Sequence, residues 1–204
     1  MVSKTRDKLI DVARQLFAHK GIENTTMNDI ATASDKGRRT IYTYFKNKRD
    51  IYNAVVERES DQLMERLNEI AHSPDISPVE KLRQFLVTRF DLFVRAFHKR
   101  SLSTLFGRDL RRIDRIHRLV IARELTLLRE ILDEGVKAGA FDAARAAELP
   151  ALESMAFQGI DYAHFRDNFA VTGMSPEVYK DSIINFMVDA VAADSGRGAT
   201  GNLQ

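Results

Sequence analysis

Apolar residues recur at helical spacing along most of this 204-residue chain, and no run of alternating β-branched residues is present. Only four prolines interrupt the pattern. Spacing of this kind predicts an all-α protein, because a 3.6-residue period places one apolar stripe along each helix. A first helix is expected from about Ser3 to Lys20, striped by Leu9, Ile10, Ala13, Leu16 and Phe17 and ended by Gly21. Thr26 followed three residues later by Asp29 reads as a capping box that opens a short second helix. Ser34-Asp35-Lys36-Gly37 is then a turn, and a third helix covers about Arg38 to Phe45.

Asn47 caps a long fourth helix running to about Ala71, with Asp50 in its first turn. Ser77-Pro78 opens a fifth, rich in Phe85, Leu86, Phe90, Phe93, Val94 and Phe97. A short segment is expected over Leu102 to Leu110, and a long helix over about Ile113 to Lys137, stopped by Gly139. Ala143 to Phe165 reads as helix, with Pro150 a kink or restart, and the last helix begins at Ser175-Pro176. Residues 194–204 have nothing to bury and are expected to be disordered.

Charge is unevenly placed. Residues 1–58 carry 12 Lys+Arg against 7 Asp+Glu, a net of +5, whereas the remainder carries 19 against 22. A basic N-terminal quarter on a slightly acidic body points to a polyanion partner for that quarter. The third helix sharpens this. At 100° per residue Ile41 and Phe45 share an inward side, while Arg39 and Thr43 point the other way with Thr40 and Tyr42 beside them. An exposed face of Arg, Thr and Tyr is hydrogen-bonding chemistry suited to base edges in a major groove. Arg38, Arg39, Thr40 and Thr43 are the candidate base readers, and Thr26, Tyr42, Tyr44 and Lys48 the candidate phosphate contacts.

The run GIENTTMNDIATASDKGRRTIYTYFKNK resembles the DNA-binding region of TetR-family transcriptional regulators. The resemblance spans Arg6 to Val56 and rests on the Phe17–Gly21 helix end, Thr26, Asp29-Ile30-Ala31 and the Thr40-to-Lys48 segment. In the turn it departs from the pattern: Ser34-Asp35-Lys36-Gly37 stands where the family has Ala-Gly-Val-Ser, and Arg39 replaces a common Gly. The resemblance implies a three-helix helix-turn-helix domain at residues 1–56. A long helix would join it to a helical effector-binding and dimerisation domain at 57–193, followed by the 194–204 tail. It implies a repressor that binds a palindromic operator in double-stranded DNA as a homodimer and is released by a small effector. Leu152, Met155, Gly159, Ile183, Phe186, Met187 and Ala190 are its candidate dimer seam.

Phe93, Phe97, Phe106, His117, Phe157, Tyr162 and Phe165 are candidates to line an effector pocket, and they read equally as plain core. Between Arg95 and Arg123 nine Lys+Arg face two Asp, which suits either an anionic effector or a solvated helix face. No cofactor is called for, and an enzyme is not expected. The five histidines are scattered without metal-ligand spacing, there is no cysteine, and no Gly-rich phosphate loop occurs. A charged N-terminus and the lack of a long apolar run predict a cytoplasmic address away from membranes. A helical adaptor or small-molecule-binding protein without specific DNA binding is the rival reading, and it leaves the Arg38–Lys48 face unexplained.

Overall fold

The computed structural model describes residues 4–96, 110–166, 173 and 175–193, with only the backbone defined over 92–96, 110–118 and 158–166. These residues form eight α-helices: α1 (Lys4–Lys20), α2 (Met27–Ala33), α3 (Arg38–Tyr44), α4 (Lys48–Ala71), α5 (Pro78–Ala96), α6 (Leu110–Lys137), α7 (Ala143–Arg166) and α8 (Pro176–Val191). The all-α expectation holds. The expected 102–110 segment, apart from Leu110 itself, and the 194–204 tail lie outside the described residues.

The chain forms two compact units, residues 1–64 with 94–120, and residues 65–93 with 121–204. The boundary expected at 56/57 falls inside α4, whose residues up to Met64 belong to the first unit.

In the first unit, Leu9, Ile10, Ala13 and Phe17 of α1 close on Ile30 and Ala31 of α2, Ile41 of α3, and Ile51, Tyr52 and Val55 of α4. Full burial of a side chain of this size contributes about 1.5–3 kcal/mol, so this interior is what holds three short helices that would be marginal alone. Tyr52 packs its ring 5.9 Å from that of Phe17, and burial pushes its phenol well above the usual range. Arg58 then ties α4 back to α1: Nη1 donates to the Asp11 carboxylate at 2.9 Å and to the Asp7 carbonyl at 3.2 Å, and Nη2 pairs with the Asp7 carboxylate.

In the second unit, Leu82, Phe85, Leu86 and Phe90 of α5 are buried with Leu127, Leu128, Ile131 and Leu132 of α6, and with Leu149 and Phe157 of α7. Ser77 and Ser175 cap α5 and α8, accepting from Glu80 N and Val178 N at 3.3 Å each. Asp142, a cap the sequence reading missed, accepts from Arg145 N at 2.9 Å, and that backbone bond holds its carboxyl below the usual range. No restart occurs at Pro150, and α7 runs through it as one helix. Leu149 and Glu153, on either side, are buried, so packing carries the helix across the missing N–H. The described part of α6 begins at Leu110, three residues before the expected start. Gly135 is needed where it stands, because a Cβ there would overlap the Phe141 ring.

Candidate nucleic-acid interface

The turn between α1 and α2 is built from its own hydrogen bonds. Gly21 takes φ 82°, which glycine adopts at no cost, and its N–H donates to Phe17 O at 3.1 Å to close α1. The hydroxyl of fully buried Thr25 donates back to Gly21 O at 2.8 Å. Thr26 then caps α2 as expected: its hydroxyl accepts from Asp29 N at 3.0 Å while its own N–H donates to Asp29 Oδ2 at 2.9 Å. The Thr26 backbone bond is the main reason the Asp29 carboxyl lies below its ordinary value. A depressed carboxylate contributes stability above its unfolded value and loses it as pH falls through the folded one, so this box weakens in acid.

Helix α2 ends in a Schellman motif. Lys36 N donates to Ala31 O at 2.9 Å and Asp35 N to Thr32 O at 3.0 Å, and Asp35 carries the left-handed conformation at φ 55°. Glycine is the usual occupant of that position, so the departure seen in the turn is a non-glycine residue held at positive φ. Asp35→Gly should therefore raise stability by about 0.5–1 kcal/mol, the left-handed penalty less glycine's extra chain entropy. Denaturant unfolding checks it, and a loss of stability would mean that the Asp side chain itself supports the turn.

Gly37 opens α3 without a side-chain cap. The inward and outward sides of α3 are those expected: Ile41 and Phe45 are buried, and Arg38, Arg39, Tyr42 and Thr43 are exposed. Thr40 and Tyr44 lie between the two sides. The helix ends one residue early, with Phe45 as an extended C-cap, which turns its ring into the core. Arg38 lies 5.7 Å from the Tyr42 ring centroid, a cation–π contact on the exposed face. The Thr43 hydroxyl donates to Arg39 O at 3.1 Å, which leaves its methyl the freer group for an outward apolar contact. Thr26 is exposed at the start of α2.

Lys48 is placed differently from the expectation of a rim cation. It is half-buried, and its Nζ donates to Ile22 O at 2.7 Å and Glu23 O at 3.1 Å. An ammonium has three N–H bonds, and two are committed within the protein.

The expected effector-pocket set is only partly placed. Phe97 and Phe106 lie outside the described residues, and Phe93, His117, Tyr162 and Phe165 are described as helical backbone alone. Phe157 is 1% exposed and packed against Phe90 with ring centroids 6.2 Å apart, which is a core position. Of the seam candidates, Leu152, Met155 and Phe186 are exposed, and Ile183 and Ala190 are half-buried. Gly159 is described as backbone only. Met187 is a correction: it is 5% exposed and faces the interior, because neighbours on a helix lie 100° apart and Phe186 takes the outward direction.

Two ion pairs in the second unit, one buried at both ends and one at its lysine alone, escaped the sequence reading. Arg89 Nε donates to Glu124 Oε2 at 2.8 Å, with both residues about 5% exposed, and its guanidinium stands 4.9 Å from the Phe157 centroid. Lys81, 4% exposed, donates to both Glu134 oxygens at 2.9 and 2.7 Å. The available signal was charge inside an apolar stripe: Arg89 falls seven residues after Leu82, and Glu124 four before Leu128. Among the described residues no group of three or more His, Cys, Asp or Glu is placed to hold a metal ion, and no helix is long and apolar enough to cross a membrane.

Comparison with known proteins adds an independent line. Residues 9–55 match the model of the bacterial regulatory proteins of the tetR family. The chain is 29% identical over 102 residues to the HTH-type transcriptional regulator AcrR of Shigella flexneri, covering 50% of this chain and 47% of that protein. It is 35% identical over 85 residues to a probable acrEF/envCD operon repressor of Escherichia coli K12, covering 41% and 38%. The match thus spans less than half the length of these curated relatives. Along the whole chain the fold is similar to a crystal structure of a TetR/AcrR-family regulator from Thermobifida fusca, with TM-score 0.66, 25% identity, and 96% and 100% of the two chains covered.

Proposed function

Through residues 9–55 this chain belongs to the TetR family of DNA-binding transcriptional regulators, and on that premise we propose that it is a repressor that binds a palindromic operator as a homodimer and is released by a small effector. The observation that carries the reading is the exposed face of α3, where Arg38, Arg39, Tyr42 and Thr43 stand opposite a buried Ile41 and Phe45. Arg38, Arg39, Thr40 and Thr43 read base edges in this proposal, and Thr26, Tyr42 and Tyr44 hold phosphates.

The homodimer is supported by large apolar side chains left uncovered on two helices that pack on each other, Leu152 and Met155 on α7 and Phe186 on α8, which are 60%, 76% and 74% exposed. Exposed apolar groups on neighbouring helices suit burial against a second copy. Two-fold symmetry then demands two half-sites, each facing one α3. A small hydrophobic or anionic effector would bind residues 57–193 and act only through its different affinities for the DNA-competent and incompetent states.

The test is selection of the full chain against a pool of random duplexes, followed by footprinting on the recovered sequence. A two-fold symmetric site should emerge and be protected. Phe186→Glu should leave a folded protein that sediments as a monomer and protects that site only at much higher concentration. Recovery of no sequence would favour the helical adaptor reading, and a symmetric footprint from a Phe186→Glu monomer as strong as the native one would remove the seam.

A further inference from the structure

Arg39 and Thr43 form one outward ridge of α3. Four residues apart, they are neighbours on the side away from buried Ile41 and Phe45, and both are exposed. Their chemistries differ. Arg39 carries donors and no acceptor. The Thr43 hydroxyl has a single hydrogen, and that hydrogen is given to Arg39 O at 3.1 Å. A hydroxyl so engaged cannot donate to guanine O6 or N7, adenine N7 or thymine O4, which are the acceptors along a major-groove floor. With the oxygen turned back on its own helix, the other substituent of the Thr43 β-carbon, a methyl group, is what the residue offers a partner. The apolar group that a major groove presents is the C5-methyl of thymine.

We infer that Thr43 is a specificity-determining residue that reads thymine, methyl against methyl, about two base pairs from the base that Arg39 reads. The inference rests on the proposal that α3 enters the major groove, and deepens it. The spacing follows from the ridge: four residues rise about 6 Å along a helix, against about 3.4 Å per base pair. Arg39 and Thr43 together then require a guanine and a thymine, so spaced, in each half-site.

Deoxyuridine pairs as thymidine does and lacks only the C5-methyl, so it isolates this contact. Each thymine of the operator selected from random duplexes is replaced by deoxyuridine in turn, and binding of the full chain is titrated. One replacement should weaken the native chain about fourfold, and the matched replacement in both half-sites about fifteenfold, the worth of one buried methyl group per contact. Thr43→Ser keeps the hydroxyl and removes the methyl. It should lose about fifteenfold on the unmodified operator and change less than about twofold when the uracil is introduced. Thr43→Val keeps the methyl and removes the hydroxyl, and should bind within about twofold of the native chain. Ser, Thr and Val have similar helix propensities and the site is exposed, so all three proteins fold alike.

Equal penalties for uracil in the native chain and in Thr43→Ser would set the thymine methyl against some other group and overturn the inference. So would a Thr43→Val protein as weak as Thr43→Ser, because the hydroxyl would then be reading through its lone pairs. An operator in which every thymine can become uracil without loss overturns it as well, while leaving α3 as the reading helix. If the native chain selects no sequence at all, the DNA-reading proposal fails, and the reading of thymine fails with it.

Discussion

Arg39→Ala should weaken binding to the selected operator by about 1–3 kcal/mol, roughly five- to 150-fold, and should flatten discrimination at one or two base pairs of each half-site. The side chain is exposed on α3, on the side away from Ile41 and Phe45, so its removal takes nothing from the core. Surface changes of that kind normally move stability by less than about 0.5 kcal/mol, and the effect on binding is then readable without correction. A bidentate guanidinium is the group best matched to the paired acceptors of a guanine, which is why loss of this residue should be sequence-dependent. Arg38 provides the internal control. Its guanidinium is already engaged with the Tyr42 ring at 5.7 Å, so Arg38→Ala removes a cation and also frees Tyr42. Titration of both variants against the operator and its single-base-pair variants separates the two. If Arg39→Ala lowers affinity equally for every duplex, Arg39 is a phosphate contact and the assignment of base readers is wrong.

How much of this was legible in the sequence depends on how local each signal was. Thr26 with Asp29, Asn47 with Asp50, Ser77 before Pro78 and Ser175 before Pro176 are all caps that act within one turn, and every one of them sits where it was read. The two sides of α3 were equally open, since seven residues at helical spacing leave little freedom. What needed coordinates was long-range. Nothing in the order of residues says that Lys48 meets two carbonyls on the far side of the helix-turn-helix. Nor does composition reveal that Asp35 takes the glycine-like conformation, although its place in an unusual turn was visible. Phe186 and Met187 show a third limit: both are large and apolar, and only the rotation of α8 in its unit decides which is covered. Arg89 and Glu124 were missed for the opposite reason, because charges inside an apolar stripe were passed over in favour of the apolar residues around them.

That last pair carries the other large effect. Glu124→Ala should destabilise the second unit by about 3–5 kcal/mol, because it strips the carboxylate from a guanidinium that is only 5% exposed. Burying the pair was costly in the first place: each ion lost its water, and the 2.8 Å Nε–Oε2 bond and the Phe157 ring at 4.9 Å are among the contacts that offset that loss. Removing both charges should therefore do far less harm than removing one. Arg89→Met with Glu124→Leu replaces two ions by side chains of similar length among Leu86, Phe90 and Leu128, and should return the unit to within about 1.5 kcal/mol of the native chain. Denaturant unfolding of the full chain, followed by a probe in the second unit, measures both, since the two units need not unfold together. A double variant as weak as Glu124→Ala would mean that Arg89 and Glu124 each support the packing separately. Recovery in the double variant would instead place the reason for keeping these charges outside stability, within the unit proposed to receive the effector. Titrating the double variant's DNA complex with a series of carboxylates that release the native complex then shows whether the response, rather than the fold, is what the pair preserves.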